Sequence, residues 1–275
     1  MSIRRALFMT HATADVAATA ALYLRMFDIA EGFRARLEPH RRESQVIRIG
    51  HFYVEVVPVQ PAGGTVGEYI ERYGGYFPSM CFTVEEVKAL GRALKPHIKR
   101  VVAERANYLA VEIRGMHEMV WEFTDLAPEA VIRRLEPKAA ERPGRNAVGI
   151  QGVGSFSLLV DDIREASAVI TKAMGGRVTG NLNEGDYAET QQHKLGGLTL
   201  SLLHPKRGDQ VLTAVLARQG ASIHSFCLVV NDMESARKEL LTRGVAVLKE
   251  RVPRLTIHPR SAYGARILLS NPERD

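Results

Sequence analysis

Four times along the chain, an apolar run of strand length passes into an acidic residue and then into a helix-like pattern. The two clearest copies are Val153-Gly154-Ser155-Phe156-Ser157-Leu158-Leu159-Val160-Asp161-Asp162-Ile163 and Ile223-His224-Ser225-Phe226-Cys227-Leu228-Val229-Val230-Asn231-Asp232-Met233. A third runs from Ser79 through Cys81-Phe82-Thr83-Val84 to Glu86, and a weaker fourth from Phe8 to Asp15. In each copy the acid lies seven residues after the opening position, where a short carboxylate side chain can cap a helix. The openings at Phe8, Ser79, Ser155 and Ser225 are 71, 76 and 70 residues apart. A near-constant period of this kind predicts a repeated supersecondary unit.

The pattern after each opening is the same. Behind Asp15, the apolar positions Val16, Ala20, Leu22, Tyr23, Met26 and Phe27 fall on one helical face. Phe33–Leu37, Gln45–Ile49 and His51–Val59 then read as strands. In the second copy, Met80–Val84 is a strand and Glu85–Leu94 a helix, followed by strands at Arg100–Arg105, Tyr108–Arg114 and Met119–Thr124. The third and fourth copies repeat the order, with Gly175-Gly176 and Gly244 ending their helices. Val211–Arg218 reads as a connecting helix, Leu126–Glu136 as another, and Pro61 to Gly75 as a Gly- and Pro-containing connection. The segment 137–149, with Arg142-Pro143-Gly144, is the best linker in the chain.

These elements predict an α+β protein of four βαβββ modules in two halves, with curved mixed sheets forming cups and helices outside. One module has a single helix on a small sheet and cannot bury its own apolar face, so modules must pair. The expected N-terminal domain is 1–136, with modules at 3–60 and 77–125. After the linker, the expected C-terminal domain is 150–275, with modules at 150–205 and 221–271. Pairing within the chain and pairing across a homodimer both fit four modules.

Composition narrows the function classes. In 275 residues, 45% are hydrophobic and 25% charged, which is ordinary for a globular protein. The N-terminus has no long apolar run, so neither a secretory signal nor a membrane span is expected. The two cysteines, Cys81 and Cys227, sit in apolar strand patterns and read as buried thiols in a reducing, cytoplasmic setting. The net charge of +6 is spread along the chain without aromatic interleaving, which argues against nucleic acid and leaves a small anionic or aromatic ligand as the expected partner.

The phrase Gly154-Ser155-Phe156 through Val160-Asp161-Asp162-Ile163 resembles the opening of a module of the vicinal oxygen chelate superfamily. That group includes glyoxalase I, extradiol ring-cleavage dioxygenases, methylmalonyl-CoA epimerase, and the bleomycin- and fosfomycin-resistance proteins. The run His258-Pro259-Arg260-Ser261-Ala262-Tyr263-Gly264 resembles the closing turn of the epimerase-like branch. The two-half layout and the Ser-Phe pairs, where the family form is His-Phe, resemble the extradiol branch. The resemblance covers nearly the whole chain and bears on fold more than on reaction, because the superfamily hosts many chemistries.

The resemblance also implies where a metal would sit. A module offers one ligand on its first strand, seven before the acid and usually His or Gln, and one on its last strand, usually Glu. The first-strand places hold Phe8, Ser79, Ser155 and Ser225, and the last-strand places Glu55, Glu122, Ser201 and Leu268. A neutral serine hydroxyl is a poor ligand for a divalent transition ion. The two His and one Glu of an extradiol dioxygenase would fall at Ser155, Ser225 and Leu268. No metal ligand set is expected in the second half. In the first half, Glu55 and Glu122 alone offer at most a weak hard-cation site completed by water. His11, His51, His117 and His224 read as surface or turn histidines. His51 shares strand parity with Glu55 but lies four residues off, about 13 Å along a strand.

The sharpest candidates are Glu55 and Glu122 on inner strand faces. If burial and mutual repulsion act on them, they form an acid/base pair, with Ser79 as a hydrogen-bond donor. The plainer alternative pairs them with Arg48 or Arg114 as structural ion pairs. Ser155, Ser201 and Ser225 form an expected hydroxyl ring for a ligand, with Arg266 and Tyr263 near the closing turn to hold its anionic end. The expected function is a metal-independent isomerase or lyase, with no cofactor, acting on a small carboxylated, aromatic or acyl-thioester compound. The alternatives are a non-catalytic protein that sequesters a hydrophobic anion, and a divalent-metal dioxygenase or glyoxalase with unrecognised ligands.

Overall fold

A computed structural model describes residues 3–29, 32–36, 43–59, 75–127, 130, 146–180, 183–184, 187–249, 254–258, 261–262 and 265–272. Tyr263, nearly all of the expected helix at 126–136, most of the linker at 137–149 and the connection from Pro61 lie outside the described residues.

The four modules are present in the expected order. The first has β1 (Ile3–Thr13), α1 (Val16–Phe27), β2 (Phe33–Arg36), β3 (Glu43–Ile49) and β4 (Phe52–Pro58). The second has β5 (Gly75–Val84), α2 (Val87–Leu94), β6 (Ile98–Arg105), β7 (Tyr108–Ile113) and β8 (Met116–Thr124). The third has β9 (Ile150–Leu159), α3 (Ile163–Lys172), the two-residue strands β10 (Arg177–Val178) and β11 (Asn183–Glu184), β12 (Ala188–Leu195) and β13 (Leu198–Pro205). After the connecting helix α4 (Gln210–Gln219) come β14 (Ser222–Val230), α5 (Met233–Thr242), β15 (Val247–Lys249), β16 (Arg254–Ile257) and β17 (Ile267–Ser270).

The strands form two mixed sheets, one of eight strands in the order β2-β3-β4-β1-β5-β8-β7-β6 and one of nine, ordered β10-β12-β13-β9-β14-β17-β16-β15 with β11 beside β12. In every module the first strand runs parallel to the last, and the remaining main pairings are antiparallel. By contacts the chain forms two compact units, neither continuous in sequence. One comprises Met1–Leu7, Phe77–Pro128 and Ser155–His224, the other Phe8–Tyr76, Glu129–Gly154 and Ser225–Asp275.

In the first unit, the apolar positions of α2, Val87, Leu90 and Leu94, are buried. On β5 and β8, Phe82 stacks on Trp121 with ring centroids 5.7 Å apart and planes 10° apart, and on Phe123 at 6.2 Å. The other faces of these strands carry Ser79, Cys81, Val120 and Glu122, as the period of two requires. The helix start differs from the expectation. Glu86 makes no side-chain cap to α2. The Val87 N–H instead donates to Asp125 Oδ2 at 3.2 Å. The extra methylene makes glutamate a poorer N-cap than aspartate. The three aspartates do cap their helices: Asp15 accepts from Ala18 N, Asp162 from Arg164 N and Glu165 N, and Asp232 from Ser235 N.

The third module packs Ile163, Ala166, Val169 and Ile170 of α3 into the same unit, with Phe156, Leu158, Leu200 and Leu202 buried on its strands. The N–H groups of Asp161 and Asp162 donate to the Gly115 carbonyl at 3.0 and 3.3 Å. Gly115 has φ +77°, and a Cβ there would stand 3.0 Å from the Ala166 nitrogen, so glycine suits both the turn and the approach. His193 on β12 is fully buried, with Val178 and Leu200 as cross-strand neighbours and its Nε2 2.9 Å from Ser167 Oγ. Burial pushes its imidazole below the ordinary value of about 6.5, against a smaller opposing effect of the Gln191 backbone. The unfolded chain therefore takes up a proton near pH 6.5 that the folded chain refuses until a lower pH. The stability this histidine supports is complete above pH 6.5 and falls as the pH drops from there to its folded value. Thermal melts between pH 7.5 and 5 are expected to show a smaller acid loss in His193→Gln than in the parent chain; equal losses would refute the assignment.

In the second unit, α1 buries Leu22, Tyr23, Met26 and Phe27. His11, expected at the surface, is fully buried, with its Nδ1 3.0 Å from the Tyr23 hydroxyl. The alternation of β1 explains this: His11 falls on the helix side and Thr10 on the other. Burial pushes the Tyr23 phenol up. Gly75 lies against this pair, since a Cβ there would stand 2.5 Å from His11 Nε2. Past the end of α5, Arg243 pairs with Asp28 at 3.2 Å and with Glu239 at 3.5 Å.

Candidate active site

Each module sets its last strand against its first, and the pairing decides which side chains face each other across the strands. Opposite Glu55 stands Thr10, opposite Glu122 stands Cys81, opposite Ser201 stands Ser157, and opposite Leu268 stands Cys227. The sequence-predicted first-strand places are one row away: Phe8 faces Tyr53, Ser79 faces Val120, and Ser155 faces Thr199. Rows two residues apart share a face, so the expected and observed neighbours line the same side of each module.

Glu55 and Glu122 are both buried, at 4% and 5% exposure. Those values matter because an ionised carboxylate so far from water needs hydrogen bonds. Glu55 accepts one from Thr10 Oγ1 at 3.0 Å. Glu122 accepts one from the Tyr108 hydroxyl at 2.7 Å, the short distance of a charge-assisted bond. Glu55 belongs to the second unit and Glu122 to the first. Ser79 is fully buried on β5, on the Glu122 side of its module.

The second module holds a further buried carboxylate, Glu112, opposite Val120 on the same face as Glu122. Arg100 on β6 clasps it, with Arg100 Nε 3.1 Å from Glu112 Oε1 and an Arg100 terminal nitrogen on the same oxygen. Tyr108, Thr10 and Glu112 were missed in sequence. Parity alone marks Thr10 and Glu112 as inner-face positions, but their partners follow only from register.

The third module presents Ser155, Ser157, Thr199 and Ser201, all half-buried, on the face opposite α3. Parallel strand pairs are usually apolar on both faces, so this hydroxyl-bearing face is a departure suited to a polar ligand. In the fourth module Ser225 is buried, Leu268 half-buried and Arg266 exposed, with the Arg266 carbonyl accepting from Phe226 N at 3.1 Å. Cys227 Sγ lies 3.4 Å from Ser270 Oγ. Among the described residues, no three His, Cys, Asp or Glu side chains gather as a metal-binding group. The places where the family resemblance puts two His and a Glu carry two hydroxyls and an aliphatic chain. That donor set does not fit a divalent transition ion. No described helix is long and apolar enough to cross a membrane.

Comparison with curated protein sequences gives no match. Among solved structures, a triple mutant of 4-hydroxymandelate synthase from Streptomyces coelicolor superposes with a TM-score of 0.69. It is 18% identical, and the match covers 100% of this chain and 95% of that one. A fusion protein titled xylose isomerase-like TIM barrel/4-hydroxyphenylpyruvate dioxygenase superposes with a TM-score of 0.64 at 12% identity. That match covers 100% of this chain and 50% of the fusion. At these identities the likeness is one of fold. Residues 156–263 match the family model of the Glyoxalase/Bleomycin resistance protein/Dioxygenase superfamily. With its four modules and two mixed sheets, the chain is a tandem-module protein of the vicinal oxygen chelate fold.

Proposed function

We propose that the protein is an isomerase- or lyase-type enzyme that moves a proton next to a carbonyl group of a small carboxylated, aromatic or acyl-thioester compound. The buried Glu122, held by the Tyr108 hydroxyl at 2.7 Å, carries the reading. A carboxylate fixed in place beside a carbon acid can serve as its general base. It takes the proton of a carbon acid, the C–H bonding pair becomes part of the enolate, and a proton, exchangeable with solvent while it rests on the carboxyl group, returns to that carbon or to a neighbouring one. A departing group on the adjacent carbon would turn the same step into an elimination. Ser79 is the proposed donor to the enolate oxygen. Glu55 with Thr10 is the equivalent carboxylate of the second unit. Ser155 and Ser201 in one unit, and Ser225, Arg266 and Tyr263 in the other, are proposed to hold the polar end of a ligand.

The test uses phenylpyruvate, which combines a carboxylate, an aromatic ring and an acidic C–H, in deuterium oxide. The protein is expected to speed loss of the C3 proton signal well above the buffer rate, and to keep doing so after chelator treatment. Exchange at the buffer rate would overturn the reading. Exchange that disappears with chelator and returns with one divalent metal would replace it with a metal-dependent activity.

A second reading is supported by the half-buried hydroxyl face Ser155, Ser157, Thr199 and Ser201. In that reading the protein binds an anionic ligand without turning it over. Saturable phenylpyruvate binding without exchange, weakened in Ser157→Ala, would favour it.

A further inference from the structure

The third module departs from its fold family at the two places where the family resemblance puts metal ligands. Ser155 and Ser201 stand there, and neither hydroxyl suits a divalent transition ion. A face that had merely lost its ligands has no need of hydroxyls, and packed apolar side chains would fill it. This face is filled differently. Parallel pairing sets Thr199 beside Ser155 and Ser201 beside Ser157, and the antiparallel neighbour β12 sets Gln192 beside Ser201. These five side chains form two rows on one face of three strands, about 4.8 Å apart across the strands and about 6.6 Å apart along them. The next row is apolar, with Leu203 opposite Leu159. The four hydroxyl residues are half-buried and Gln192 is exposed, so a ligand meets the array from solvent. None of the five side chains has a hydrogen-bond partner among the described residues. All five are uncharged. Lys194 stands opposite Thr199 at the margin and has an interaction of its own.

We infer that this array binds a small polyhydroxylated compound, a sugar or a cyclic polyol, directly through the ligand's hydroxyl groups. The inference rests on the second reading above for the place of binding and departs from it in the ligand. Each serine and threonine hydroxyl both donates and accepts, and the glutamine amide does the same through separate atoms. A carboxylate only accepts, so it would leave the acceptor half of the array unused. An unsubstituted aromatic ring would leave every group it covers unpaired, at a cost for each one shielded from water. Ligand hydroxyls donate and accept in turn. A six-membered ring carries several of them on a frame wide enough to reach two neighbouring strands at once. The half-buried Leu203 at the end of the array offers an apolar contact to the C–H edge of such a ring.

The probes are D-glucose, D-mannose and myo-inositol, followed by magnetisation transfer from protein to probe protons and by titration calorimetry. At least one is expected to bind saturably, and to bind equally after chelator treatment. Ser157→Ala and Gln192→Leu are expected to keep the melting temperature of the parent chain. Each is expected to weaken probe binding at least threefold, and the two together at least tenfold. No saturable binding by any of the three probes, binding that requires a divalent metal, or unchanged binding in the double variant would overturn the inference. A second measurement needs no loss of affinity. The thiol introduced by Ser157→Cys is expected to react more slowly with methyl methanethiosulfonate when a probe is bound, with the parent chain and its two buried cysteines as the background. An unchanged rate at saturating probe refutes the contact. Phenylpyruvate binding that is lost in Ser157→Ala, with no probe bound, would keep the face as a binding surface and remove the polyhydroxylated ligand. A bound probe without phenylpyruvate binding would keep this inference and remove the anionic one.

Discussion

Glu122→Gln is expected to slow phenylpyruvate exchange by about two to four orders of magnitude, the usual contribution of a positioned general acid or base. The substitution is close to isosteric. The amide oxygen still accepts the Tyr108 hydrogen bond, while the group loses its ability to take a proton near neutral pH. Because a buried charge is removed, the melting temperature is expected to hold or rise. The rate is read from the decay of the C3 proton signal, and folding from a thermal melt of the same sample. A full rate with an unchanged melt would remove Glu122 from the chemistry. Glu55→Gln serves as the companion. If it stops exchange while Glu122→Gln does not, the working carboxylate is the one bonded to Thr10, in the other unit.

Trp121→Ala is expected to cost about 3–5 kcal/mol of stability, the range for emptying a buried aromatic site. Trp121 is fully buried, stacks on Phe82, and is the chain's only tryptophan. Against a total stability of about 5–15 kcal/mol for a typical domain, this loss is large. It also distinguishes packing from hydrogen bonding. The indole Nε1 has no hydrogen-bond partner among the described residues. Trp121→Phe therefore loses volume but also removes a buried donor that costs about 1–3 kcal/mol when unpaired. It should destabilise much less than Trp121→Ala in urea unfolding followed by circular dichroism. Equal losses would mean that the indole N–H is paired in solution.

The module order was legible because strand and helix periods differ and the phrase recurs four times. Phe8, Ser79, Ser155 and Ser225 each lie on the first strand of a module, as their spacing to the acid implies. The inner-face placement of Glu55 and Glu122 was legible from alternation. Their hydrogen-bond partners were not. A shift of two residues along a strand preserves parity, so Phe8 and Thr10 are equivalent to a pattern reader, and only register selects Thr10 for Glu55. Tyr108 was hidden for a related reason: it reaches Glu122 diagonally, over an alanine that carries no chemical signal of its own. The sequence pattern alone does not reveal the burial of His11. The partner that makes its burial tolerable, Tyr23, sits on a helix twelve residues away.

The division of the chain into units bears on how it folds as it is made. Each unit joins stretches far apart in sequence: Met1–Leu7 and Phe77–Pro128 with Ser155–His224, and Phe8–Tyr76 and Glu129–Gly154 with Ser225–Asp275. The stretch Phe8–Tyr76 therefore packs in a unit whose other large part, Ser225–Asp275, is made only after every stretch of the first unit. Its apolar faces must wait until Ser225–Asp275 has been made, which favours late, slow folding and exposure to chaperones. Premature termination within Ser225–Asp275 would leave the Phe8–Tyr76 stretch without its packing partner.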